Sequence, residues 1–85
     1  MKISVAMAAY NGAPFIEEQL DSIRLQKLHA DEVIVVDDRS PDNTLEVLKN
    51  YRHKYPDFPL QIFQNEKNLG YRKNFREAVS HCTGD

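Results

Sequence analysis

Four consecutive β-branched residues, Val33-Ile34-Val35-Val36, lie between two acidic pairs, Asp31-Glu32 and Asp37-Asp38. A strand with no polar position has no face to give to water, so it must be covered on both sides. That condition is met at the centre of a parallel sheet with helices above and below it. The rest of the chain must supply the neighbouring strands and the covering helices within 85 residues, which is room for one small core.

The flanking segments supply them. Ile3 to Ala8 is short, apolar and partly β-branched, and predicts a first strand. Asn11-Gly12-Ala13-Pro14 follows, where Asn11 or Gly12 can end the strand and cap a helix and Pro14 fits its first turn. Ile16, Leu20 and Ile23, widened by Phe15, form the apolar stripe of that helix. After the central strand, Ser40-Pro41-Asp42-Asn43-Thr44 is a dense helix-start signal, with Ser40 or Asp42 able to accept bonds from orphan N–H groups. Leu45, Leu48, Tyr51 and Tyr55 predict the buried face of a second helix, which Pro56 and Pro59 stop. Leu60 to Gln64 alternates and follows a proline, as suits an edge strand. Tyr71, Phe75, Ala78, Val79 and Cys82 predict the buried face of a third helix ending near Gly84. The order βαβαβα implies an α/β fold with a parallel sheet in three layers.

Composition narrows the partners. A net charge of -2 argues against a surface that neutralises a phosphate backbone, so nucleic acid is not an expected partner. The longest apolar run is far too short to span a bilayer. The segment before Ala9 lacks the features of a secretory signal, so a cytoplasmic location is expected. The single cysteine, Cys82, has no partner for a disulfide and no metal-ligand spacing around it. His29, His53 and His81 are isolated, and no role is assigned to them.

Ligands of parallel sheets bind outside the carboxyl ends of the strands. Asp38, just past the central strand, is placed there to accept a hydrogen bond from a ligand N–H or hydroxyl; equally, both aspartates could serve the dipole of the helix that follows. Tyr10 could present its ring to a base or ribose, or pack over the sheet end. Lys67, Arg72, Lys73 and Arg76 surround a helix start, as an anion site or as a solvated face. Ala9 to Pro14 holds one glycine where a dinucleotide-binding turn needs three, and no Gly-Lys-Ser/Thr of a P-loop occurs. A receiver-like signalling domain would need an aspartate at the end of the third strand, where Gln64-Asn65 stands instead.

Val5-Ala6-Met7-Ala8-Ala9-Tyr10-Asn11-Gly12, then Glu32 through Thr44, then Asn65-Glu66-Lys67-Asn68-Leu69-Gly70 and Asn74 together resemble the start of the family 2 glycosyltransferases, which have the GT-A fold. Thr83-Gly84-Asp85 resembles the start of that family's next strand. Glu18 to Ile23 with Gly70 to Phe75 is similar to bacterial members that build rhamnose-containing or other surface polysaccharides.

The resemblance implies a Rossmann-like nucleotide-diphospho-sugar transferase fold, with residues 1–85 as the amino-terminal, nucleotide-binding part of one GT-A domain, truncated before its fourth strand. It implies that Ala8, Tyr10 and Asp38 contact the base and ribose of a nucleotide-sugar donor. Ala8 departs from the Thr or Pro common in the family, leaving backbone contact alone at that position. Uracil and thymine carry an N3–H and guanine an N1–H for Asp38 to accept, whereas cytosine does not, so a UDP-, dTDP- or GDP-sugar is expected. The family's Asp-x-Asp cation site and its catalytic base would lie beyond Asp85; Asp37-Asp38 is not that motif. A divalent cation, Mg or Mn, is thus expected only in the complete enzyme, and no catalytic or metal-binding residue in this chain. The other expected partner is a saccharide or lipid-linked acceptor, handled by an enzyme peripheral at the inner face of the membrane. With a strand order of 3-2-1, the first strand becomes a bare edge, and self-association through Ile3 to Ala8 is expected.

Overall fold

The computed structural model describes residues 2–26 and 29–83. Its elements run β1 (Ser4–Ala9), α1 (Ala13–Arg24), β2 (Glu32–Asp37), α2 (Thr44–Lys54), β3 (Leu60–Gln64) and α3 (Tyr71–His81). The three strands form one parallel sheet in the order β1-β2-β3. β2, the run with no polar interior position, is the central strand, and each of its residues is buried. β1 begins one residue later than the apolar pattern suggests: the Ile3 carbonyl accepts from the N–H groups of Asp31 and Glu32, but its own N–H goes to the Asp31 side chain, at 2.7 Å, rather than to a strand.

Strand side chains alternate between faces, and β2 splits its apolar residues accordingly. Val33 and Val35 join Ile16 and Leu20 of α1 and Leu48 and Tyr51 of α2 in the larger core, while Ile34 and Val36 meet Ala78 of α3 on the opposite face. The molecule is therefore three-layered, with α1 and α2 packed together on one side of the sheet and α3 on the other. Tyr51 joins the two helices of the thicker layer: its hydroxyl donates to Asp21 Oδ1 at 2.7 Å and accepts from Arg24 Nε at 3.0 Å.

Packing departs from the apolar spacing in each of the three helices. Tyr71, Phe75 and Val79 are 79%, 43% and 49% exposed; α3 buries Ala78, as its spacing predicts, together with Asn74, which the apolar pattern passes over. The side chains under α3 come from Ala6, Ile34, Val36 and Phe63, and Asn74 is held among them by its bond to the Val36 carbonyl. Phe15 is likewise exposed. Leu45 and Tyr55 are half-buried rather than buried, and Cys82 is half-buried against the smaller core. Gly84, where α3 was expected to end, lies outside the described residues; α3 ends at His81.

Candidate functional site

The helix-start residues after β2 do more than begin α2. Asn11, Gly12 and Ala13 donate their backbone N–H groups to Ser40 Oγ at 2.9 Å, Thr44 Oγ1 at 2.9 Å and Asp42 Oδ2 at 3.2 Å. The orphan donors at the start of α1 are thus satisfied by the neighbouring β2–α2 loop rather than by a side chain of their own turn. Asp42 also accepts from the Thr44 N–H at 3.0 Å. These bonds lock together the carboxyl ends of β1 and β2. Asn11 takes φ 54° there, a left-handed conformation that asparagine tolerates.

Asp37 and Asp38 point to different partners, and neither simply caps α2. Asp37 accepts from the Ser40 N–H at 3.1 Å, from the Ser40 hydroxyl, and from Gln64 Nε2 at 3.2 Å. Asp38, 2% exposed, turns instead to the loop between β3 and α3. Its Oδ1 accepts from Leu69 N–H at 2.7 Å and Asn65 Nδ2 at 2.9 Å, and its Oδ2 from Gly70 N–H at 2.9 Å. A carboxylate offers about four acceptor positions, so among the described residues one remains, on Oδ2. Asn68 Nδ2 adds a bond to the Asp38 carbonyl at 3.1 Å. Gly70 has φ 88°, a conformation that a side chain would strain, and this lets the loop bring two successive N–H groups onto one carboxylate.

A cleft of about 580 Å³ opens over these strand ends, lined by Ala8, Ala9, Tyr10, Asp38, Arg39, Pro41, Asn68, Gly70, Tyr71 and Asn74. The three residues singled out from the sequence, Ala8, Tyr10 and Asp38, border this one cleft. Tyr10 is 54% exposed and keeps its ring available. Tyr71, assigned to the core by its spacing, borders the cleft instead. Arg39 was not foreseen at all. It holds φ 58°, and its guanidinium donates to the Glu66 carbonyl and Gln64 Oε1, both at 3.1 Å. A non-glycine residue held in the left-handed region next to a cleft is a sequence-invisible sign of a built site. Of the basic residues around α3, Lys67, Arg72, Lys73 and Arg76 are exposed and outside the lining of this cleft.

Among the described residues, no three His, Cys, Asp or Glu side chains come together as a cation site. A second cavity, of about 630 Å³, lies at the other end of the sheet between Arg24, Tyr55 and Phe58, away from the strand ends where ligands of such sheets bind.

The family model described as glycosyl transferase family 2 matches residues 4–85. The chain is 38% identical over 87 aligned positions to the abequosyltransferase RfbV of Salmonella typhimurium, covering all of this chain and 26% of that protein. Its structure superposes on the mannosyltransferase PcManGT of Pyrobaculum calidifontis, solved in complex with GDP-Man and Mn2+, with a TM-score of 0.90 and 34% identity over 98% of this chain and 25% of the other. TarS of S. aureus, solved with UDP, gives a TM-score of 0.84 and 37% identity over 99% of this chain and 25% of that one.

Proposed function

The chain belongs to glycosyl transferase family 2, and from that membership we propose that its strand-end cleft receives the nucleoside of a nucleotide-sugar donor. The chain spans about a quarter of the length of the relatives it matches, so sugar transfer is proposed for the whole protein, with this chain as the donor-binding part of one GT-A domain. One observation carries the reading: Ala8, Tyr10 and Asp38 converge on a single cleft at the carboxyl ends of β1 and β2. Its volume, about 580 Å³, falls within the usual range for small-molecule sites.

The chemistry selects among bases. Asp38 can only accept, and its remaining acceptor position suits the N3–H of uracil or thymine or the N1–H of guanine. The nucleotides in the PcManGT and TarS structures, GDP-Man and UDP, both carry such a group. The donor is accordingly a UDP-, dTDP- or GDP-sugar. The acceptor is a saccharide or lipid-linked hydroxyl in surface polysaccharide synthesis, met by an inverting enzyme on the cytoplasmic side, peripheral at the inner face of the membrane. No described helix is long and apolar enough to cross a membrane. The described residues bring no three His, Cys, Asp or Glu side chains together, and a divalent cation, Mg or Mn, would be held by other parts of the whole protein. Self-association through β1 belongs to the same proposal, because its outer edge has no strand partner among the described residues.

Titration with UDP, dTDP, GDP and CDP tests the cleft. The expected result is saturable binding of the first three, weaker binding of CDP, and a loss of about tenfold on Tyr10→Ala, the order of magnitude of one base-aromatic stack. Asp38→Asn is the less clean variant, since its NH2 would face the N–H of Leu69 or Gly70. No binding of any nucleotide at millimolar concentration would remove the donor site from this chain.

A further inference from the structure

Asn74 sits between α3 and the sheet, 1% exposed. Its Nδ2 donates to the Val36 carbonyl at 3.0 Å, and its Oδ1 accepts from Asn65 Nδ2 at 2.8 Å; the same Asn65 nitrogen donates to Asp38 Oδ1 at 2.9 Å. The direction of this chain of bonds is forced at both ends. A backbone carbonyl and a carboxylate only accept, so Asn74 must present its nitrogen to Val36 and its oxygen to Asn65, and Asn65 must present its nitrogen to Asp38. No described buried side-chain polar atom lacks a partner, and a network satisfied throughout holds its members in one geometry.

We propose that Asn74 is a positioning residue of the cleft, acting through Asn65 to hold the Asp38 carboxylate where Leu69 and Gly70 close on it and one acceptor position is left for the base. The proposal rests on the donor-site reading above. It gives the polar position of α3 a task that packing does not supply: the helix is tied to the end of β2 at the level where the carboxylate is aimed, and Gly70, just before the helix, and Tyr71, its first residue, border the cleft. Asp38 thereby reads the base only in the attitude that the α3 layer sets.

Amide hydrogen exchange and nucleotide preference, measured on the full chain, test this with Asn74→Ala and the loop variant Asn65→Ala, which leaves the helix contact with Val36 untouched. Exchange at the Leu69 and Gly70 amides is expected to speed at least tenfold in both variants while the Val35 amide in the central strand keeps its protection. The preference for UDP over CDP is expected to shrink severalfold, a ratio that a loss of global stability would not move. Acceleration of Val35 together with Leu69 and Gly70 would overturn the proposal, as would unchanged exchange at the two loop amides or an unchanged preference. Should the unsubstituted chain bind no nucleotide, the donor-site reading fails by itself, and the exchange data alone decide whether Asn74 positions Asp38.

Discussion

The carboxylates at the two ends of β2 have unlike roles because their donors differ. At the amino end of β2, Glu32 accepts from Ser4 Oγ at 2.6 Å and from the backbone N–H and hydroxyl of Thr83. The Ser4 bond first, and then the Thr83 N–H, lower its pKa from 4.5 to about 2. Between those values the unfolded chain binds a proton that the folded chain does not, so stability there rises with pH. The contribution is complete above pH 4.5 and is lost as the pH falls toward about 2. Urea titrations across that interval should show a shallower pH slope for Glu32→Gln than for the unsubstituted chain; equal slopes would mean that other carboxylates govern the acid limb. Asp37 and Asp38, at the opposite end of the strand, are spent on the loops that shape the cleft.

Elements are stabilised unequally by what they cover. α2 places Leu48 at 0% exposure in the larger core, where removing a buried leucine side chain leaves a cavity that costs about 2–5 kcal/mol. Leu48→Ala should therefore lower the unfolding free energy by about 3 kcal/mol, a large part of the margin of a domain this small. Tyr51→Phe removes only the bonds to Asp21 and Arg24, whose charged groups can return to water. Its loss in thermal unfolding should be clearly the smaller of the two, and the reverse order would show that the polar bridge, not packing, joins α1 to α2. α3 has no comparable core, since Ala78 and Asn74 are its buried residues. Its attachment depends on the amide network as much as on apolar contact.

For the whole molecule, the sheet order leaves β1 and β3 as edges around a saturated β2. β3 is preceded by Pro59 and carries the exposed Gln61 and Gln64, whereas β1, Ser4–Ala9, is apolar after its first residue and has its outer backbone groups unpaired in the described sheet. Such an edge pairs readily with another strand. In sedimentation velocity the apparent mass of this chain should rise with concentration, and a monomer at every concentration would refute self-association through β1.

The order of the elements, the centrality of Val33-Ile34-Val35-Val36 and the candidates at the strand ends were all legible in the sequence, because they follow from local periodicity and from the chemistry of single residues. Tyr10 and Asp38 could be named as candidates from where strands must end, and Ala8 from the family resemblance. Which partners those residues meet was decided by tertiary structure. The bonds of Asp38 cross 27 to 32 positions of chain to Asn65, Leu69 and Gly70, and no local pattern records them. The exposure of Tyr71, Phe75 and Val79 was hidden for the same reason: spacing shows which residues share a helix face, but only the tertiary docking of α3, with Asn74 and Ala78 turned to the sheet, determines which of that face is covered.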